Sequence, residues 1–418
     1  MVALVTIEDA DCLEKKMFLE TEKLKIRKHC LEIESRLKEK HLRSMKEWTR
    51  ELVYISDEYP GVWLEHAYDS VILAQLYPEY AQIEVNTMDA FIHYQKEDGQ
   101  IPFVLSASGE RLPSFRQLQE VVSFAKLCWM VYTHTQDKEF LLRAYHANSA
   151  WDAWLRKFRM TSNRGLVEMF VGFDTGHDNS ARMTGMSCPY NNKPYEASVL
   201  PPEDDVTPIL AVDINCTFYA TQKALAKMAR ELGYDNEAQA WEEKAKQVKE
   251  KLFEYCFDEG DYFFYDVDKH NRKRKYLSCT VFHLFSEGVL DKEEDKALIQ
   301  KIYTRHIKNP NEFWTEYPFP SMAICDPSFQ KSLPNNCWGY FSQALTALRG
   351  TLWMDEYGYG KDYDYLCGQW VKALTDFYEE SKFGQELDPI SGIPSGGSEW
   401  YSSCMLFYIY AARRLNIL

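Results

Sequence analysis

The chain has 418 residues and a mass of 49.0 kDa, with 48 basic and 63 acidic residues, a net charge of 48 − 63 = −15. Such an excess of negative charge makes nucleic acid and anionic lipid poor partners, and no apolar stretch approaches the roughly 20 residues of a membrane span. Eleven scattered cysteines, an odd number without a CxxC pair, read as free thiols of a reduced, cytoplasmic chain rather than as a disulfide framework or a zinc site.

The first 18 residues carry acids where a signal peptide needs a basic start and an apolar run. From Cys12 to Ile55 the apolar positions Leu24, Cys30, Ile33, Leu37, Leu42, Met45, Trp48 and Leu52 predict one long charged helix, packed on the outside of the domain. Helix pairs follow: Leu64–Leu76 with Glu79–Lys96, Phe115–Thr135 with Lys138–Phe158, and Ala211–Leu232 with Asn236–Cys256. Leu277–Ser286 with Lys292–Ile307 and Cys337–Tyr357 with Tyr363–Ser381 continue the series, and a last helix runs from Glu399 to Leu415. Glycines at the short junctions suit helix C-caps.

Links within pairs are short and links between pairs are long: Glu97–Ser114, Arg159–Leu210, Phe257–Tyr276, Lys308–Asn336 and Lys382–Ser398. About twelve helices with alternating link lengths predict an all-α (α/α)6 barrel, a six-hairpin toroid whose long links gather on one face. With no linker-like composition, residues 1–418 read as a single catalytic domain, with 1–55 the N-terminal helix packed on it. An α-solenoid would need a repeated signature, and none is present.

Loops this long in a compact domain carry function. Gly172–Arg182 concentrates Asp174, His177, Asp178 and Arg182, and Phe383–Trp400 concentrates Glu386, Asp388 and Glu399. Asp178 could be a general acid tuned by Asp174 and His177, or a loop staple pairing with arginine and making Asx turns. Glu386 could be a carboxylate across a pocket from it, with Glu399 or Asp388 as alternatives; Glu399 also suits the start of the last helix. Trp63, Glu65, His66, Tyr68 and Asp69, the aromatic Tyr317–Phe329 segment, and Trp338 are candidate pocket lining. His270–Lys275 reads as a solvated basic hairpin. No P-loop, HExxH, GxSxG or dinucleotide fingerprint is present, and the histidines are dispersed, so neither cofactor nor metal is expected.

Taken together these motifs resemble the trehalase-like inverting α-glycosidases of glycoside hydrolase clan G, closest to the short single-domain members of family 63, over most of the chain from Trp63 to Leu415. Asp174-Thr175-Gly176-His177-Asp178-Asn179-Ser180 is similar to the family's Glu-Ser-Gly-x-Asp-Asn-Ser loop, which implies Asp178 as general acid. Gln385-Glu386-Leu387-Asp388-Pro389 is similar to Glu-x-Tyr-Asn-Pro, which implies Glu386 as general base with a one-residue shift, since Gln385 holds the strictly aligned position. Tyr68-Asp69-Ser70 stands for Trp-Asp-Thr, and Gln95 with Asp98–Pro102 for Gln…Asp-Gly-x-Ile-Pro. Gln119 matches a pocket glutamine and Asn336–Gly339 resembles Tyr-Trp-Arg-Gly-Pro, without its Arg and Pro. The resemblance implies a small soluble α-glucoside or α-mannoside as substrate, and with the residue clusters above it gives an expected binding set of Trp63, Tyr68, Asp69, Gln119, Asp174, His177, Arg182, Trp338, Glu399 and Trp400. The competing expectation is a sugar epimerase or isomerase on the same scaffold, which would need histidine bases.

Overall fold

In the computed structural model, which describes residues 18–106, 113–177, 179–188, 196–330 and 337–418, the expected helix pairs are present but shortened at their ends. After α1 (Glu20–Arg36) come α2 (Ala67–Leu76) with α3 (Ala81–His93), α4 (Phe124–Thr135) with α5 (Lys138–Phe158), and α6 (Val212–Glu231) with α7 (Asp235–Cys256). Then follow α8 (Val281–Ser286) with α9 (Lys296–Ile302), α10 (Ala344–Arg349) with α11 (Gly360–Asp376), and α12 (Ser402–Arg414).

Two kinds of helix are distinguishable by burial. All six residues of α8 and ten of the thirteen in α12 are buried, as helices walled in on every side must be. By contrast α7 buries only the stripe Ala238, Trp241, Ala245, Val248, Leu252 and Cys256, the three-and-four spacing of a helix with one face in water. The buried helices form the inner ring: α2 touches α4, α4 touches α6, and α6 touches α8. The turn after α10 meets α8, α10 touches α12, and α12 returns to α2. This is the (α/α)6 barrel.

The N-terminal helix differs from expectation. Among the described residues it stops at Arg36, followed by one wide turn (Leu37–His41) and the short antiparallel strands β1 (Leu42–Arg43) and β2 (Leu52–Val53). Leu52, Val53, Tyr54 and Ile55 are all buried in succession, a pattern no helix with one exposed face allows. α1 is not an accessory: Arg27 Nε donates to Ile417 O at 2.8 Å, and the His29 ring stacks on Tyr378 at 4.1 Å. It packs against α11 and α12 and fills the outer place beside α12.

The long links pair among themselves. β3 (Gly61–Trp63) joins β4 (Val104–Ser106); β5 (Glu168–Met169), β6 (Ile209–Leu210), β9 (Asp266–Val267) and β10 (Lys273–Arg274) make one sheet in the order β10-β9-β6-β5. β7 (Phe257–Asp258) joins β8 (Phe263–Phe264), and β11 (Ser342–Gln343) joins β12 (Glu386–Leu387). The β11–β12 pairing is why the helix expected over Cys337–Tyr357 is broken: Gln343 is extended so that its backbone can pair. His270–Lys275 is the β9–β10 hairpin, as expected. Gln95 and Gly99 are framework: Gln95 Nε2 donates to Gly99 O and Ala147 O at 2.8 Å, and a Cβ on Gly99 would lie 2.4 Å from Ala150 O. Among the described residues nine cysteines are free thiols, and no helix is long and apolar enough to cross a membrane.

Candidate active site

The long links surround a cleft at one mouth of the barrel. Its aromatic walls are Tyr59, Trp63, Trp338 and Tyr401, with Ile55 and Leu345 beside them. Its polar atoms come from Glu65, His66, Gln119 and Gln385, and its floor includes the Gly176 backbone.

Glu65 and His66 lie on a single 3-10 turn, Leu64–His66, that leads into α2. Gln119 Nε2 donates to Glu65 Oε1 at 3.0 Å, while Oε2 has no hydrogen-bond partner among the described residues. Gln119 does this from a left-handed backbone, φ 48°, a conformation rare for a residue with a side chain and one that marks functional sites. Burial pushes the Glu65 carboxyl up to about 7, against the pull of Arg349, whose Nη2 is 3.9 Å from Oε2. His66 Nε2 is bonded to the Tyr401 hydroxyl, and burial lowers its pKa well below the usual imidazole range, so the ring is neutral.

The folded protein thus holds a proton on Glu65 that the unfolded chain, with an ordinary carboxyl near 4.5, releases. Stability falls as pH rises from about 4.5 to about 7, and above that range the buried charge is a full cost. Glu65→Gln should remove this cost and stabilise the protein at pH 8 by up to about 3 kcal/mol, since each tenfold difference in proton affinity is worth ~1.4 kcal/mol. Thermal melts of both proteins from pH 5 to 8 should converge at the acid end.

Gly176 is required by the same contact. Its φ is +70°, and a Cβ there would meet Glu65 Oε2 at 2.5 Å. Gly176→Ala should cost about 1–3 kcal/mol, from backbone strain and displacement of an anchored carboxylate. A lower denaturation midpoint together with slower turnover would be the signature.

Several expected binding residues instead hold the walls from behind. Asp174 is fully buried; it pairs with Arg159 and accepts from the backbone N–H groups of Leu118, Phe170 and Val171 at 3.0, 2.8 and 3.1 Å. Arg182 is buried and donates to Asp213 at 2.6 and 3.0 Å and to Asp266 at 2.7 and 3.0 Å. His177 Nδ1 lies 3.1 Å from Arg182 Nη1, and its ring stacks on Trp338 at 4.2 Å, so it sets the rear of a cavity wall. Burial lowers the His177 pKa far below its usual range.

Tyr68 bonds Thr351 Oγ1 at 2.6 Å, and Asp69 accepts from Ser402 at 2.5 Å and from Ser403 at 2.8 and 2.9 Å, tying α2 to the start of α12. Neither lines the cavity; among the described residues the carboxylate on its wall is Glu65, four residues earlier. Glu399 is exposed, and Trp400 packs on Phe383 with Arg36 over its ring at 5.2 Å, facing α1 rather than the cavity. Of the ten residues expected to bind substrate, Trp63, Gln119 and Trp338 line the cavity. Asp178, like Asn336 of the Asn-Cys-Trp-Gly motif, lies outside the described residues.

The Phe383–Trp400 loop is closed at its neck by Trp400 N–H to Lys382 O at 2.9 Å and Tyr401 N–H to Phe383 O at 3.0 Å. Within it, β12 opposes Glu386 to Gln343, and Gln343 Nε2 donates to Glu386 Oε2 at 2.7 Å. Directly opposed residues share one face of a ladder and successive residues alternate. Gln385 reaches the cavity wall, whereas Glu386 is buried beside Gln343 and is not among the lining residues. Burial raises the pKa of Glu386. Asp388 caps the turn, accepting from Ile390 and Ser391 N–H at 3.0 Å each, and takes the Tyr340 hydroxyl at 3.1 Å.

His177, Asp213 and His283 bring three ligand-type atoms within 4.8 Å of one another. Arg182 engages both oxygens of Asp213, so a cation there would sit against a guanidinium; the donor set fits a charge network better than a metal. His66 is the histidine on the cavity wall among the described residues, short of the paired bases an epimerase needs.

Comparison with known proteins sharpens this picture. The profile of the mannosylglycerate hydrolase MGH1-like glycoside hydrolase domain matches residues 59–402. A probable trehalase of Eremothecium gossypii is 23% identical over 345 residues, covering 70% of this chain and 44% of that protein. A probable trehalase of Saccharomyces cerevisiae is 23% identical over 247 residues, 54% of this chain and 28% of that one. The chain therefore spans less than half the length of these curated relatives. Among solved structures, the Thermus thermophilus GH63 mannosylglycerate hydrolase with Tris superposes with TM-score 0.70 at 16% identity, over 92% of this chain and 99% of that one. The neutral trehalase of Saccharomyces cerevisiae gives 0.66 at 15% identity, over 87% and 73%. The barrel is shared with both, and the profile spans the cavity lining from Tyr59 to Tyr401 and both of its loops: the chain belongs to the mannosylglycerate hydrolase MGH1-like glycoside hydrolase family.

Proposed function

We propose that the protein is an inverting exo-α-glycosidase that hydrolyses a small α-glucoside or α-mannoside, with Asp178 as proton donor. The observation that carries this reading is the cavity itself: aromatic walls for sugar faces, and Glu65, Gln119 and Gln385 for hydroxyls, with Gly176 of the Asp174–Ser180 loop in its floor. The family's mannosylglycerate hydrolase has been crystallised with glucose, and with Tris and D-glycerate, and the curated relatives are trehalases; both groups point to small glycosides.

In this mechanism Asp178 gives its proton to the glycosidic oxygen while a carboxylate on the opposite side takes one from the attacking water. The sequence suggests Glu386 for that second role, held one residue off the aligned position.

The test is proton NMR during turnover of a panel including trehalose, kojibiose, and glucosyl- and mannosylglycerate. The expected result is loss of an α-anomeric signal with the β-anomer of the free sugar appearing first. Appearance of the α-anomer first, or epimerisation without bond cleavage, would overturn the proposal.

A further inference from the structure

We propose that Glu65, rather than a residue of the 385–388 loop, is the carboxylate that takes the proton from the attacking water; this rests on the glycosidase reading above. The base of an inverting hydrolase must face the cavity with a free oxygen. Gln385 faces it with an amide, which cannot accept a proton at neutral pH. Glu386, on the alternate face of β12, is buried beside Gln343 and does not line the cavity. Glu65 meets both conditions among the described residues. It lines the cavity, Gln119 anchors Oε1 at 3.0 Å, and Oε2 is buried with no hydrogen-bond partner among them, its countercharge being Arg349 Nη2 at 3.9 Å.

In the step, a water oxygen bonds to C1 as one of its protons passes to Glu65 Oε2. The C1–O bond breaks, and its electron pair stays on the leaving oxygen, which takes the proton of Asp178. Glu65 then returns its proton to solvent and Asp178 regains one. Burial favours a base that works near neutrality, because the carboxyl of Glu65 is pushed up to about 7. The charged and titratable groups facing it are Arg349 from α10, Asp69 from α2, Tyr401 before α12, and the neutral His66.

Glycosyl fluorides separate the base from the acid, since fluoride leaves without protonation. With α-glucosyl and α-mannosyl fluoride as probes, Glu65→Gln should lose roughly 10²–10⁴-fold in kcat, whereas Asp178→Asn should retain most of its turnover. Glu386→Gln should lose far less than Glu65→Gln. In Glu65→Ala, sodium azide should restore turnover and yield the β-glycosyl azide, because azide attacks without a base. The acid limb of kcat/KM for the wild type should fall near pH 7.

A Glu65→Ala enzyme that azide does not rescue, or a Glu386→Gln enzyme more impaired than Glu65→Gln, overturns the assignment; Glu65 would then only hold a sugar hydroxyl. The acid limb of the wild type tests the same point without a variant, and a limb near pH 4 overturns the assignment as well. A wild type inactive on both fluorides and on the whole panel of α-glycosides overturns the glycosidase reading itself, before any variant is compared.

Discussion

Asp178→Asn should lower turnover of an unactivated α-glycoside by at least roughly 10²–10⁴-fold, the contribution typical of general acid catalysis. The amide is nearly isosteric, so the thermal midpoint and the KM should change little. The loss should shrink as the leaving group improves, because a good leaving group needs no proton. The alkaline limb of the pH profile should vanish with the carboxyl that produces it. Asp174, four residues earlier, cannot stand in, because its oxygens are committed to Arg159 and three backbone N–H groups. Near-normal turnover of trehalose or glucosylglycerate by Asp178→Asn would remove Asp178 from the mechanism.

Arg182→Met should be among the most destabilising single changes in the chain, by about 3–5 kcal/mol. Arg182 makes four hydrogen bonds to Asp213 and Asp266, and all three side chains are buried. Burial alone would push the Asp213 carboxyl up; the Arg182 guanidinium holds it well below the usual carboxylate range. Removing the cation leaves two buried carboxylates without the countercharge they share. Arg182→Lys should recover only part of the loss, because a single ammonium cannot serve two carboxylates with the geometry of a planar fork. Urea denaturation at pH 7 measures this. Adding Asp213→Asn to Arg182→Met should return part of the stability, a coupling that independent sites would not show. The active site should respond too, since His177, which backs Trp338, is oriented by Arg182.

The architecture was legible because it rests on repetition. Apolar residues at helical spacing, short links within pairs and long links between them specify five helix hairpins, and the last helix with the N-terminal one completes the twelve of a ring. The loops that carry the site were legible too, since the Asp174–Ser180 and Gln385–Pro389 segments stand out by their acids and glycines. Of the five residues expected at one cavity, Trp63, Gln119 and Trp338 line it, and Tyr68 and Asp69 do not.

Tertiary structure decided the orientation of individual side chains. Asp174, Arg182 and Asp69 carry the residue types of a binding site, yet each is consumed by partners 15 to more than 300 residues away. Which of two adjacent residues, Gln385 or Glu386, reaches the cavity depends on the pairing of β12 with β11, fixed by a partner strand more than 40 residues distant. Glu65 lay in a cluster visible in the sequence. Its proton affinity comes from burial beneath Gln119 and Gly176, which no local pattern encodes. The helix break after Arg36 has the same origin: Leu52–Ile55 is apolar in succession because the fold encloses it on all sides, and periodicity alone cannot tell such a run from a helix. Sequence determined which segments become helices and which loops carry acids; long-range packing determined which acids remain free to act, because that depends on partners distant along the chain.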